Sequence, residues 1–338
     1  MVQLPHRQVR PTGGPRVGLV LGAGGVLGAA WMAGALVALQ ERLPCPLGAV
    51  DLVVGTSAGS ILAAALRCGV AVEEIVEHQR GSRLVMLPHL TELEQDAGAV
   101  PPLPRMRIGS PRLLATAALA PHRVHPWVAA SALVLEGRGQ HRSLTALIDA
   151  LLARDTATLP APSPAWPARG ETWIMAVDYE SGRRVAFGRA GAPAAPLPEA
   201  VVASCSISGW YEPKVVHGRR YVDGGVRSST SLDLLARADL DEVYVLAPMA
   251  SYDTDSPRHP AARLERLFRR LITARLTADV RKVRATGAKV TVLTPGPEDL
   301  AAIGANLMDP ARRRRVLETS LRTSSAALTH GEDPRRAA

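Results

Sequence analysis

Aromatic residues are scarce in this chain: Phe, Trp and Tyr make up 4% of its 338 residues. Ala, Leu and Val must therefore fill most of the interior. No basic run is interleaved with aromatics, so the pattern that stacks and neutralises nucleic acid is missing. Cysteine is sparse too. Cys45, Cys68 and Cys205 are odd in number, widely spaced and form no Cys-x-x-Cys pair. That excludes a disulfide framework or a thiolate zinc site as the organising device and fits reduced thiols in a cytosol. Long hydrophobic runs are absent. The longest apolar stretch, 113–135, is broken by His122, Arg123, His125 and prolines, whereas a membrane-spanning helix needs about 20 predominantly apolar residues. The first sixteen residues are polar, basic and rich in Pro and Gly, without the apolar centre of a signal peptide.

What is present suffices for a real core: 47% of residues are hydrophobic and 21% charged. The net charge is +9, carried almost entirely by arginine. Such an excess suits anionic partners, with phospholipid head groups ahead of nucleic acid. The expected location is the cytoplasm, with peripheral contact at an anionic membrane.

The apolar pattern alternates between short buried strands and helices. Residues 17–21 read as a strand, 22–28 as a glycine loop and 29–41 as a helix stopped by Pro44 and Pro46. A second strand at 50–54, a tight turn at 55–59 and a helix to about Arg67 follow. Two such units make parallel neighbours with right-handed crossovers. Residues 81–140 are proline-rich and weakly periodic, and read as an inserted cap or lid. Ser143 reads as the N-cap of a helix to about Ala153. Residues 172–179 and 183–187 read as strands paired across Ser181-Gly182, 197–204 as a helix and 220–222 as a strand. Strands at 242–246 and 289–293 flank a long basic helix. Its stripe of Leu264, Leu267, Phe268, Leu271, Ile272, Leu276, Val280 and Val283 is expected to cover one face of the sheet. A last helix is expected at about 310–321. The fold class is α/β, with a mainly parallel sheet covered on both faces.

Gly55-Thr56-Ser57-Ala58-Gly59 fits Gly-x-Ser-x-Gly between a strand and a helix. A serine on so sharp a turn needs small neighbours, here Gly55 and Gly59. The helix starting there aims free N–H groups and a positive dipole end at the site. Gly22-Ala23-Gly24-Gly25-Val26-Leu27-Gly28 also follows a strand and opens a helix. Its amides can cradle a phosphate or hold a developing oxyanion. A dinucleotide fingerprint would place its third glycine at Leu27, but the glycine comes one residue late, at Gly28. The acidic residue expected to close the second strand is also missing. Adjacent parallel strands would put both loops on one sheet edge, a nucleophile beside an oxyanion hole. A base is still required. His217 lies in a Gly/Arg-rich turn, His259 beside a proline, and His122 and His125 in the inserted segment. Asp223, in Val222-Asp223-Gly224-Gly225, opens a tight turn and taken alone reads as an ordinary Asp-Gly turn. A Ser–His–Asp triad using His259 or His330, a phosphate-binding regulatory protein and an inactive scaffold all remain open on these residues.

The loop 22–28, the Gly55–Gly59 turn and Asp223-Gly224-Gly225, in that order, resemble the signatures of the patatin-like phospholipase family. Residues 203–213, beginning Ala203-Ser204-Cys205-Ser206, resemble its block just upstream of the aspartate. The resemblance covers about 17–226. It implies a three-layer α/β/α sandwich, a Ser–Asp dyad without histidine, and hydrolysis of acyl esters in lipids. Ser57 takes the nucleophile's place, Asp223 the base's, with Gly224 and Gly225 forming the dyad turn. Gly22, Ala23, Gly24 and Gly25 take the oxyanion loop. The loop departs from the family at Leu27, where an arginine is usual, and at Ala23, where glycine is usual. Those departures narrow the implied substrate from phospholipids to lipid acyl esters. No cofactor or metal is expected: the carboxylates lack calcium-loop spacing and His122-x-x-His125 lacks further ligands. The implied organisation is a flexible basic arm at 1–15 and a catalytic domain at 16–250 holding the insertion. C-terminal helices and a strand at 251–330 pack on that domain, and a disordered tail covers 331–338.

Overall fold

The computed structural model describes residues 14–81, 100–158, 165–253 and 260–330. The expectations for the arm before residue 14, for the tail, for 82–99 of the insertion and for His259 lie outside the described residues. Strand β1 (Val17–Leu21) leads into helix α1 (Gly25–Arg42), and β2 (Leu52–Thr56) into α2 (Ala58–Arg67) and α3 (Val72–Arg80). The insertion carries α4 (Pro111–Leu119) and α5 (Pro126–Leu133). After it come α6 (Arg142–Thr158), β3 (Glu171–Asp178), β4 (Arg184–Phe187) and α7 (Leu197–Cys205). The chain ends with β5 (Lys214–Val216), β6 (Arg219–Asp223), β7 (Glu242–Leu246), α8 (Pro260–Arg284), β8 (Lys289–Leu293), α9 (Pro297–Ile303) and α10 (Arg313–His330).

These strands form one mixed sheet in the order β5-β6-β3-β2-β1-β7-β8, with β4 also on β3. The pairs from β3 through β8 are parallel, and β4, β5 and β6 pair antiparallel. Side chains alternate across a strand, and here both faces are dry. Leu19, Leu21 and Val53 join one apolar cluster, while Val20 and Val54 join another. That is why β1, VGLVL, reads as an unbroken apolar run. The first face is covered by α1, α2, α6, α7 and α10, the second by α8 and the short helical turns at 232–237. The architecture is the expected three-layer α/β/α sandwich.

The register along β3 sets up the site. Ile174 pairs with Gly55 of β2 and with Phe187 of β4, so those strands occupy opposite edges of β3. Ala176 pairs with Val185 of β4 and with Asp223 of β6, which puts β6 on the same edge as β2. β2 leaves this edge after Thr56↔Met175, and β6 takes it over at Asp223↔Ala176. Neighbouring positions of one strand therefore hold the ends of two strands far apart in sequence.

Three expectations change. The helix after the glycine loop begins at Gly25 rather than at 29, so Val26 to Gly28 belong to its first turn. Helix α6 begins at Arg142, which places Ser143 inside it rather than at its cap. The stripe on α8 splits. Leu276, Val280 and Val283 are buried on the sheet, whereas Leu264, Leu267, Phe268 and Leu271 are exposed. In that first half arginines face inward instead. Arg269 Nη1 donates to the Pro248 and Ala250 carbonyls (2.6 and 3.1 Å), and Arg266 Nη2 to the Leu300 carbonyl (3.1 Å). The carbonyls of the β7–α8 connection need donors there, and a guanidinium meets that need where leucine cannot.

The described part of the insertion packs Leu113, Val124 and Val128 against Val177, Tyr179 and Val222 at the β3–β6 end of the sheet. Buried Glu136 pins it there through ion pairs to Arg105, Arg107 and Arg220 (3.0, 3.0 and 3.4 Å).

Candidate active site

Between the end of β2 and the start of α2 only Ser57 is left to reverse the chain. Its backbone, φ 53° and ψ −124°, lies where side-chain-bearing residues seldom go, a strain of about 1–3 kcal/mol. The turn is held shut by close approach. A Cβ on Gly59 would stand 2.0 Å from the Leu21 carbonyl oxygen, and one on Gly55 2.6 Å from that of Gly59. From α7, the buried Ser204 hydroxyl accepts the Ser57 N–H (2.9 Å) and donates to the Met175 carbonyl (2.7 Å).

Asp223 arrives at the same place from β6. Its N–H donates to the Ser206 carbonyl at 3.0 Å, and Oδ1 accepts the Gly225 N–H at 2.7 Å. Burial pushes its carboxyl up to about 6, against the pull of hydrogen bonds from the Ser57 side chain and the Gly225 amide. The chain thus joins a serine on a strained turn to a desolvated carboxylate. The segment just after α7 holds Asp223 as α7 itself holds Ser57, which gives the block at 203–206 a physical role. Ser204 carries no signal of its own in the sequence, because it is one small residue in an apolar helix.

The four loop positions expected as oxyanion donors separate. The Gly22 N–H goes to the Leu246 carbonyl (2.9 Å) and the Ala23 N–H to the Ser229 carbonyl (2.8 Å). Each amide has one proton, so Gly22 and Ala23 shape the loop and are corrected out of the donor set. Gly24 and Gly25 stand at the cap and first residue of α1, where helix geometry leaves N–H groups without intrahelical acceptors. Gly25 needs its glycine: φ is +59°, and a Cβ would meet Met308 Sδ at 2.8 Å. Ala58, at the start of α2, is placed likewise. Leu27 is wholly buried in the core.

Ser57 lines an apolar cavity on the α1/α2 face. Ala58, Ile61, Leu62 and Ala65 continue it along one side of α2, a run of about 12 Å at 1.5 Å per residue. His78, Gln79 and Arg313 also line it. None of the described insertion residues lines it; they line a different cavity, on the other face of the sheet. His141 does line it, stacked on Tyr211 with ring centroids 3.8 Å apart and with Nε2 against the Cys205 carbonyl at 3.1 Å. No motif in the sequence marked this histidine. Among the described residues no three His, Cys, Asp or Glu side chains converge as metal ligands would, and no helix is long and apolar enough to cross a membrane.

The model of the patatin-like phospholipase family matches residues 19–84 and 143–236. The chain belongs to that family. Both matched stretches bear on the site, the first holding Ser57 and the second Asp223, and the break between them falls on the insertion. No curated protein matches the chain. Among solved structures it is similar to VipD from Legionella pneumophila, 14% identical over 94% of this chain and 67% of that one, with a TM-score of 0.44. It is also similar to ExoU in its complex with SpcU from Pseudomonas aeruginosa, at 17% identity over 91% and 53% of the two chains and a TM-score of 0.33. Human GIVD cytosolic phospholipase A2 is 15% identical over 94% and 59%, with a TM-score of 0.36. The chain therefore spans little more than half the length of ExoU and of the human enzyme.

Proposed function

We propose that this patatin-family chain is a serine hydrolase of lipid acyl esters, working through a Ser57–Asp223 dyad. The observation that carries the proposal is the join itself: the strained Ser57 and a buried carboxylate whose charged form the Ser57 side chain favours, beside an apolar cavity that Ser57 lines. Asp223 takes the Ser57 proton as Oγ attacks the ester carbonyl. Amides of Gly24, Gly25 and Ala58 are the candidate donors to the oxyanion of the tetrahedral intermediate. The alkoxide leaves with the proton from Asp223, and the acyl group stays on Ser57 along the cavity. Water then gives a proton to Asp223 and attacks the acyl-enzyme, releasing fatty acid and restoring Ser57. A carboxylate is a weak base in water, with an ordinary pKa near 3.9. Desolvation raises Asp223 toward the range where a base works at neutral pH.

Labelling with a fluorophosphonate probe tests this. The wild-type chain should label and turn over a short-chain nitrophenyl ester, and Ser57→Ala should do neither while keeping its circular dichroism. Retained turnover by pure Ser57→Ala would sink the assignment. His141→Gln separates dyad from triad. Removing a general base is worth about 10²–10⁴ in rate, and the dyad predicts a loss well below that range.

A further inference from the structure

The second cavity opens on the α8 face of the sheet, between α5, α8 and residues 225–230. Its mouth is apolar. Trp127 and Phe268 meet there edge to face, ring centroids 5.7 Å apart, and Leu271 stands half exposed beside them. The interior is polar and incomplete. His125, Arg227 and Asp279 line it, and in its wall His125 Nδ1 and Arg227 Nη1 are closed to water without a hydrogen-bond partner. Buried polar atoms are nearly always partnered, so two orphans in the wall of one cavity mark it for an occupant.

The charges state its sign. Arg184 is held at 2.7 Å by both carboxylate oxygens of Asp233, and Arg275 Nε by Asp279 at 3.3 Å, with Lys282 on Asp279 from outside at 3.7 Å. Arg227 completes a set of four cations around two carboxylates, so the surplus is positive. Burial and the nearby Arg227, Arg275 and Arg184 also hold His125 below its ordinary value, which marks the same field. Donors reach the space from α8, from the start of α5 and from the segment after Asp223. Convergence from several sides suits a tetrahedral oxyanion, and the aromatic mouth suits an alkyl chain behind it.

We propose that this cavity binds the phosphate head of a single-chain anionic amphiphile, with Arg227, Arg275 and His125 on the head and Trp127 and Phe268 on the first carbons of the tail. Its walls touch the catalytic segment from behind: Gly225 supplies the amide on Asp223 Oδ1 (2.7 Å), and Ser229 the carbonyl that holds Ala23 (2.8 Å). The inference does not rest on hydrolysis by Ser57.

Calorimetric titration of the full-length Ser57→Ala chain with octyl phosphate, inorganic phosphate and octanol tests it. Octyl phosphate should bind tightest. Arg227→Gln should weaken it by about 10- to 100-fold, the worth of a charged hydrogen bond. Trp127→Ala should weaken octyl phosphate while leaving inorganic phosphate unchanged. Octanol binding as well as octyl phosphate, inorganic phosphate binding as well, or affinity untouched by Arg227→Gln would each overturn the proposal. A measurement without a pocket mutation guards against misfolding. In the otherwise unaltered chain, NMR signals of the His125 ring should shift at saturation with octyl phosphate, and an unmoved ring overturns the proposal equally.

Discussion

At pH 8 Asp223 is ionised in a position only 5% exposed, with hydrogen bonds from Ser57 and Gly225 as its compensation. Its folded pKa of about 6 lies above the unfolded value of 3.8. A raised carboxyl prefers the neutral form in the fold. Its contribution to stability is therefore full below 3.8, falls as pH rises, and is lost above about 6. Two units correspond to about 3 kcal/mol. Asp223→Asn should accordingly be inactive yet more stable than wild type at pH 8, by up to about that amount, with the gap closing by pH 4. Chemical denaturation at both pH values measures it. Activity should run the other way, because the base must be unprotonated: wild-type kcat/KM should climb through a single ionisation near 6 and level off above it. A flat profile from pH 5 to 8 would exclude Asp223 as the base.

Helix α7 is the element that couples the two halves of the site. It has no charged group near the chemistry, and its contribution is one hydroxyl and the carbonyl that follows it. Ser204→Ala leaves the Ser57 N–H and the Met175 carbonyl without their partner in a buried place. The expected loss of stability is about 1–3 kcal/mol. The strained Ser57 backbone would also be freer to relax, so kcat should fall more than KM rises. Ser204→Thr, which restores a hydroxyl, should recover part of kcat. Equal stability of Ser204→Ala and wild type in urea would show that the turn does not depend on this anchor. Helix α8 makes a related point about patterning. Its eight apolar residues share one stripe, but the helix lies over the sheet only in its second half, and buried arginines serve backbone carbonyls in the first.

Across the whole molecule, the residues proposed for catalysis end at 225 but the fold does not. β7 pairs with β1 along its full length, and Val316, Leu317 and Leu328 of α10 belong to the same cluster as α1. Ser320 Oγ donates to the Trp31 carbonyl at 2.7 Å, and a Cβ on Gly34 would stand 2.6 Å from Ser320 Oγ. A chain cut after residue 236, where the family match stops, should fail to fold cooperatively. A cut after Arg312 should expose the apolar side of α1 and aggregate. Size-exclusion chromatography and thermal melts of both truncations check this. A soluble, cooperatively melting 1–236 fragment would mean that the first six strands suffice.

Local chemistry carried most of what was legible in advance. Strand–glycine–helix units at 17–42 and 52–67 announce themselves because buried parallel strands are apolar throughout and sharp turns admit only small residues. From those rules came the α/β class, the parallel neighbours and Ser57. Asp223 became legible by resemblance, since an Asp-Gly turn looks alike whether or not a serine faces it. Long-range register decided the rest. β2 and β6 follow one another along a single edge of β3, and that meeting depends on the distant pairings Thr56↔Met175 and Ala176↔Asp223. The same dependence hid His141 and the role of Ser204, spent the amides of Gly22 and Ala23 on distant carbonyls, and brought His125, Arg227 and Asp279 from separate segments to one cavity. A side chain's partners across the fold are set by which surfaces pack, and that is a property of the assembled layers rather than of any stretch of ten residues.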